Sequence, residues 1–176
     1  MQNENQKYHF ALRVIHWAMA VIIIGLLTSG FTKGYLPKEY RGDFYFYHKS
    51  FGMIALGLII LRIIIKSLTF KTEPKLPEIL GKQNIILAKL GWALLYLFMI
   101  FMPLSGYIAT DAGDYSLPVF GFQFPDLITK NKPLGRFFWE LHETLPWFFV
   151  AIISLHFLAS VKHYFLDKVN LFKRML

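Results

Sequence analysis

The sequence predicts an all-α protein, a transmembrane four-helix bundle with both termini on the cytoplasmic side of a membrane. The chain is 55% hydrophobic and only 17% charged, and its mean hydropathy of +0.43 is high for a soluble domain. Four apolar stretches are each long enough to cross a hydrocarbon layer of about 30 Å. Basic residues are unequally divided between the two predicted sides. We therefore expect one membrane-embedded domain over residues 1–176, with the lipid bilayer as its solvent.

The four predicted spans are Val14–Phe31, Phe44–Ile65, Leu90–Ala109 and Thr144–Val161. The first could be read as a secretory signal peptide, with Lys7 and Arg13 as its basic region. However, its eighteen apolar-rich residues exceed the usual hydrophobic region of a signal, and "LLTSGF" lacks the small-x-small cleavage pattern. We expect it to remain as a membrane helix.

The segments between the spans carry typical interruptions of helical periodicity. Gly30 and Gly34 end the first helix, and a Pro- and Lys-containing connection follows the second. Pro103 and Gly106 lie within the third span, where a membrane helix tolerates them with a bend. The long connection from Thr110 to Phe138 contains "YSLPVFGFQFPDLI", which is apolar enough to lie on the membrane surface or to fold over the bundle.

The net charge of +8 is explained by membrane topology and requires no nucleic acid. Four helices place the N-terminus, the 62–89 connection and the C-terminus on one side, with twelve of the nineteen Lys and Arg residues. The opposite side has seven: Lys33, Lys38, Arg41, Lys49, Lys130, Lys132 and Arg136. By the positive-inside rule, the side with the termini is cytoplasmic.

Four histidines pair by their depth in the predicted bundle. His16 lies at the start of the first helix on the cytoplasmic side, and His48 at the start of the second on the outer side. His142 begins the fourth helix on the outer side, and His156 follows fourteen residues later, about 21 Å deeper on the same face. Ionisable residues at membrane depth are costly and therefore indicate function.

Paired imidazoles at two levels are what two stacked b-type haems require. Each haem iron takes two axial nitrogens, and an apolar disc suits a bundle interior. One zinc or copper site is disfavoured because side chains about 21 Å apart cannot converge on one ion. The chain has no cysteine, so thiolate ligation and covalent haem attachment are excluded. Histidines that are merely hydrogen-bonded packing residues are the competing interpretation.

Three further polar residues lie near the cytoplasmic level. Arg62 follows His48 by fourteen residues and could pair with haem propionates or a quinone head group, or could simply extend to the interface. His163, with Lys162 beside it, lies on the same helical face as His142 and His156. At this depth we expect an ordinary solvated histidine, with a quinone site as the alternative.

Four segments carry a family resemblance: "IHWAMAV", "YHKSFGMIALGLIILRIIIK", "LYLFMIFMPLSGYI" and "LHETLPWFFVAIISLHFLASVKHYF". They resemble the prokaryotic cytochrome b561 family of small dihaem inner-membrane proteins, over nearly the whole chain. The resemblance implies that His16 and His156 bind a cytoplasmic-side haem b and that His48 and His142 bind a periplasmic-side one. It also implies a ubiquinone site near the inner haem, for which Arg62, Lys162 and His163 are candidates. The chain departs from the family in the third helix, where Lys89 and Trp92 lie in a segment that often carries histidine.

Two functions share these haem ligands. The resemblance implies an oxidoreductase that oxidises superoxide at the periplasmic side and reduces ubiquinone, in the bacterial inner membrane. The alternative is an electron-transfer subunit or anchor that docks a periplasmic redox partner through the 110–138 connection. A haem-free transporter would account for the helices but leave the paired histidines unexplained. Seven acidic residues on the outer side nearly cancel its basic ones, so attraction of superoxide would require the basic residues to cluster.

Overall fold

Four long helices form almost the whole protein. The computed structural model describes residues 6–176. The helices are α1 (Phe10–Thr32), α2 (Arg41–Thr69), α3 (Gly81–Ala112) and α4 (Lys132–Phe165). Each is long and apolar enough to cross a membrane, which confirms the predicted fold class.

The helices extend beyond the predicted spans, most of all α4. The sequence interpretation placed the start of this helix at Thr144 and left residues 110–138 as a connection, which is wrong at both ends. The Asn131 side chain accepts a hydrogen bond from the Leu134 N–H at 3.1 Å, and a proline follows at the first helical turn. An N-cap followed by proline fixes the start of a helix. The helix therefore begins twelve residues early, and His142 lies inside it rather than at its start.

Consecutive helices pack against each other in alternating directions. The end of α1 meets the beginning of α2, because Ser29 contacts His48, and the end of α2 meets the beginning of α1, because Arg62 contacts Leu12. The α3–α4 pair has the most extensive contact in the protein. Its midpoint contains stacked Phe98 and Phe149 rings with centroids 5.5 Å apart.

The outer surface of the bundle is apolar. Val21 is 71% exposed and Leu155 is 67% exposed, and large apolar side chains are exposed along all four helices. Water would penalise such a surface by about 25 cal/mol for each Å² of apolar area, whereas lipid would not. The exposure is therefore that of a multi-pass membrane protein.

Both described ends of the chain meet at one end of the bundle, here called the terminal end. The Tyr8 N–H donates to the Arg174 carbonyl oxygen at 3.1 Å, and the Trp17 indole N–H donates to Met175 at 2.9 Å. Arg174 in turn donates to the Lys75 carbonyl oxygen in the α2–α3 connection. These contacts join the N-terminal segment, the C-terminal segment and the α2–α3 connection.

The other end, here called the loop end, is covered by residues 113–131, the cap segment. A small antiparallel hairpin of β1 (Pro118–Val119) and β2 (Phe122–Gln123) lies within it. The hydroxyl of buried Ser50 accepts a hydrogen bond from the Phe120 N–H. The carboxylate of buried Asp111 accepts two more, from the N–H groups of Leu127 and Ile128. Of the two predicted positions for this apolar connection, it takes the one over the bundle.

Candidate functional site

A cavity of about 580 Å³ lies beneath the cap segment, between all four helices. This volume is typical of small-molecule and cofactor sites. Its wall is mostly apolar, and two histidines, His48 from α2 and His142 from α4, provide converging nitrogen atoms. Pro103 of α3 and Pro146 of α4 also line it, and a proline inside a helix bends it by displacing the carbonyl four residues earlier. The bundle is therefore open where the two histidines meet.

His48 and His142, the loop pair, face each other across this cavity. Their ring centroids are 6.2 Å apart and their planes are perpendicular. A histidine nitrogen binds a metal at about 2.0–2.1 Å, so two rings sharing one metal atom have centres about 6 Å apart. The structure thus brings together the pair that depth in the sequence predicted for the outer level.

The Nδ1 atom of each ring in the loop pair has a hydrogen-bond partner. His48 Nδ1 lies 2.8 Å from the Ser29 hydroxyl oxygen. His142 Nδ1 lies 2.9 Å from the Ser105 hydroxyl oxygen and 3.0 Å from the Met102 carbonyl oxygen. A ring that donates its Nδ1–H has its lone pair on Nε2. Such partners are typical of metal-binding histidines.

A glycine leaves room for the His142 ring. A Cβ atom at Gly106 would lie 2.9 Å from His142 Cε1 and 3.2 Å from Nδ1. A side chain at this position would therefore push the ring out of its place. Together with the mostly apolar cavity and the two facing nitrogens, this close approach fits the residues to a haem, whose iron needs only two axial protein ligands.

Three of the seven predicted basic residues of the loop end form ion pairs. Lys33 forms an ion pair with Glu143 and lies 5.0 Å above the Trp139 ring. Two more of the predicted outer basic residues, Lys130 and Arg136, pair with Asp114 and Glu140. Lys49 lines the cavity, and its ammonium group donates to an uncharged partner, the Ser116 carbonyl oxygen, at 3.1 Å.

The second predicted pair, His16 and His156, here called the terminal pair, lies toward the terminal end. The two rings are within electrostatic range of each other and of the Arg62 guanidinium. Arg62 is half-buried and donates to the Leu12 carbonyl oxygen at 2.7 Å and to the Tyr96 hydroxyl at 3.2 Å. It therefore joins α2 to α1 and α3 at this end of the bundle.

His163 is not the solvated residue that the sequence interpretation expected. It is only 6% exposed, because the chain after α4 folds back and the Val169 N–H donates to the His163 carbonyl oxygen. Its Nδ1 contacts the Asp167 carboxylate, which lies 3.2 Å from the Lys162 ammonium group. The hydrogen bond from His163 is the main reason that the pKa of Asp167 is lowered from its ordinary value. Arg62 has other neighbours, so the three candidate quinone residues form two groups.

Among the described residues, the candidate metal ligands occur as pairs of histidines. Within residues 6–176, no three His, Cys, Asp or Glu side chains converge as an ion site. A zinc ion takes three or four protein ligands, whereas the haem macrocycle supplies four of the six ligands of its iron. Pairs of histidines are therefore suited to haem.

Several residues of the site could not be found by sequence reasoning. Ser29, Ser105 and Tyr96 contact predicted site residues across helices, and nothing local in the sequence marks them. Asp167 is different, because it lies four residues after His163. That spacing places two residues on one helical face and was a usable signal.

Comparison with known proteins gives consistent similarities. The profile of the prokaryotic cytochrome b561 family matches residues 7–176. Cytochrome b561 homolog 2 of Escherichia coli K12 is 27% identical over 99% of this chain and 93% of its own length. The probable superoxide oxidase CybB of Yersinia pestis is 28% identical over 98% of this chain and 97% of its own length. Cytochrome b561 homolog 1 of Escherichia coli K12 is 22% identical, with 92% coverage of each.

Proposed function

Because the chain belongs to the prokaryotic cytochrome b561 family of haem b membrane electron-transfer proteins, we propose that it carries electrons from superoxide to ubiquinone through two haems. The loop pair holds one haem b and the terminal pair holds the other. The protein lies in the bacterial inner membrane, with the terminal end cytoplasmic and the loop end periplasmic. The similarity to a probable superoxide oxidase supports superoxide as the electron donor.

One observation carries the proposal: the loop pair faces across an apolar cavity with both Nδ1 atoms already engaged. Both Nε2 lone pairs are then available for one metal atom. A haem bound by two histidines accepts and donates single electrons without an open coordination position. The cap segment covers this site, and the apolar cavity wall limits the entry of water.

Lys49 is the residue that we propose attracts superoxide. The residue lines the cavity, and the hydrogen-bond partner of its ammonium group is an uncharged carbonyl. The ion-paired Lys33, Lys130 and Arg136 contribute much less, since a neighbouring carboxylate cancels most of each positive field. Attraction of a small anion thus rests on one cation near the cavity, rather than on the whole loop end.

At the terminal end, Arg62, Lys162 and His163 are the candidate ubiquinone-binding residues. Reduction of a quinone to a quinol takes two electrons and two protons. The Asp167 carboxylate accepts a hydrogen bond from His163 Nδ1 and pairs with Lys162. This cluster joins a proton-carrying ring nitrogen to groups that reach the protein surface, so it can pass protons from the cytoplasm.

A second function, an electron-transfer subunit that docks a periplasmic redox partner, has one observation in its favour. The cap segment presents apolar side chains to solvent at the loop end, with Phe122 81% exposed and Tyr115 69% exposed. Exposed apolar groups of this kind are common in protein interfaces. This function uses the same histidines.

The test measures haem per chain in detergent-purified protein, then superoxide-driven reduction of a soluble ubiquinone analogue. We expect two b haems per chain and quinone reduction that superoxide dismutase abolishes. A Lys49→Met variant should react more slowly with superoxide, and Lys130→Met is its matched control because that lysine is paired and away from the cavity. Two haems without superoxide-dependent reduction would favour the docking function. A protein purified without haem from haem-replete cells would contradict both.

A further inference from the structure

We propose that Ser29 and Ser105 are positioning residues that lower the reduction potential of the loop-pair site below that of the terminal-pair site. The inference rests on the two haem sites proposed above. It concerns the direction of electron transfer, which the positions of the histidines alone leave open.

The direction of each serine–histidine hydrogen bond follows from the other partners of the two rings. The Ser29 hydroxyl donates to the Leu26 carbonyl oxygen at 2.8 Å and lies 2.8 Å from His48 Nδ1, so it can accept the Nδ1 proton of that ring. The Ser105 hydroxyl likewise donates to the Met102 carbonyl oxygen at 2.7 Å and accepts from His142. A hydroxyl has one donor and two acceptor positions. The Met102 carbonyl oxygen can only accept, so His142 carries its proton on Nδ1, and His48 does the same when its Nε2 binds the iron of the proposed haem.

These two hydrogen bonds change the chemistry of the opposite ring nitrogen. An imidazole that donates its Nδ1–H to an oxygen atom becomes a more basic ligand at Nε2. A more basic ligand stabilises the oxidised iron, which has the higher positive charge, and thereby lowers the reduction potential. The same bonds fix the orientation of both rings toward the cavity.

The terminal pair has a different environment. The hydroxyl of Ser160, one turn after His156, donates to the His156 backbone carbonyl oxygen at 3.1 Å and leaves the ring alone. The Arg62 guanidinium is within electrostatic range of both rings, and its partners Leu12 and Tyr96 are uncharged. An adjacent uncompensated cation favours the reduced iron and raises the potential.

The two cations of the loop-end cavity, Lys33 and Lys49, do not cancel this difference. Lys33 acts on both rings of the loop pair, but Glu143 is bound to it. Lys49 lines the cavity with an uncharged partner, but its charge is not among those that act on either ring. The Glu143 carboxylate cancels most of the field of Lys33 at the loop pair. Serine hydrogen bonds at one end and an uncompensated arginine at the other together favour electron transfer from the loop end to the terminal end.

The test is a potentiometric titration of haem-loaded protein in detergent, followed by visible absorbance. We expect two haem components with different reduction potentials in the wild type. Ser29→Ala should raise the lower potential by up to about 59 mV, which is a tenfold change in the equilibrium constant for one electron. Ser105→Ala should raise it less, because His142 keeps the Met102 carbonyl oxygen as a partner. Ser160→Ala is the matched control and should move neither component.

Conservative variants separate a hydrogen-bond effect from a packing effect. Ser29→Thr keeps the hydroxyl and should restore the wild-type potential, and it should retain the haem even if Ser29→Ala loses it. Arg62→Met should lower the higher of the two reduction potentials because it removes the positive charge, whereas Arg62→Lys should leave that potential unchanged.

Three results would overturn the inference. The first is that Ser29→Ala and Ser105→Ala shift the lower reduction potential no more than Ser160→Ala does. The second is that these variants shift the higher potential instead of the lower one. The third is that the loop-end haem is lost in Ser29→Thr as well as in Ser29→Ala. If the wild type binds fewer than two haems, the proposed function fails before any variant is compared.

Discussion

At the residue scale, each pair of histidines has its own helices and neighbours, so each site should lose its haem separately. We expect His142→Ala to reduce the haem content from two per chain to one, because His16 and His156 keep their positions. The pyridine haemochrome assay measures this directly. His9→Ala is the control, since His9 is exposed and its side chain accepts only the Ala11 N–H at the start of α1. Loss of both haems, or of neither, would contradict the assignment of pairs.

The close approach of Gly106 to His142 gives a second prediction. A Cβ atom 2.9 Å from His142 Cε1 forces the ring to move, so Gly106→Ala should lower the haem occupancy of the loop end and leave the terminal end loaded. Gly91→Ala is the matched control in the same helix, because a Cβ there meets no atom within 4 Å. Equal haem contents in the two variants would show that the ring has room to adjust.

At the element scale, the crossing of α3 and α4 depends on one glycine near the start of α4. A Cβ atom at Gly135 would lie 2.8 Å from the Gly113 backbone nitrogen and 2.9 Å from its Cα. Backbone cannot move aside as a flexible side chain can, so Gly135→Ala should destabilise the protein by about 1–3 kcal/mol. Thermal unfolding in detergent measures the effect. Gly57→Ala, which meets open space, should unfold like the wild type.

The segment after α4 is fixed by a carboxylate whose effect should depend on pH. The pKa of Asp167 is lowered, first by its hydrogen bond from His163. A carboxyl group with a lowered pKa in the folded state stabilises the protein above its unfolded pKa of about 3.9, and the contribution is lost as pH falls through the folded value. We expect Asp167→Asn to unfold at a lower temperature than the wild type at pH 7.

The acid end of that pH range provides the check on Asp167. Below about pH 3.9 the difference between Asp167→Asn and the wild type should become progressively smaller. A difference that stays constant between pH 7 and pH 3 would show that the variant acts through packing. Lys168→Gln is a control, because it changes a charged residue next to Asp167 without removing the carboxylate.

At the scale of the whole molecule, the unequal distribution of basic residues predicts the orientation. Twelve Lys and Arg residues on the side of the termini indicate that this side is cytoplasmic. A C-terminal fusion to green fluorescent protein should fluoresce, and one to alkaline phosphatase should be inactive, since each folds on only one side of the inner membrane. A fusion placed in the cap segment after Gln123 should give the opposite pair of results. An active C-terminal phosphatase would invert the direction proposed for electron transfer.

Composition, hydropathy and spacing predicted the number of helices, their approximate spans and which helix carries each histidine. These properties depend only on position along the chain. A membrane helix must form its backbone hydrogen bonds within itself, and its apolar length must match the bilayer thickness. Depth follows from position along a helix at about 1.5 Å per residue. The pairing of His48 with His142 could therefore be predicted from depth. The start of α4 was missed because Asn131 lies in a polar segment that was interpreted as a connection, so its role as an N-cap was not recognised.

The tertiary structure alone decided what each histidine contacts. The Ser29–His48, Ser105–His142 and Arg62–Leu12 contacts join residues that are 19, 37 and 50 positions apart in the chain. Such contacts depend on the rotation of each helix about its own axis and on the packing of its neighbours. The sequence constrains neither, because the side of a helix that faces lipid and the side that faces another helix are both apolar. The sequence by itself determined the four apolar helices and the order of the histidines along them. The packing determined which oxygen atoms hold their rings and which face of each ring is left for a ligand.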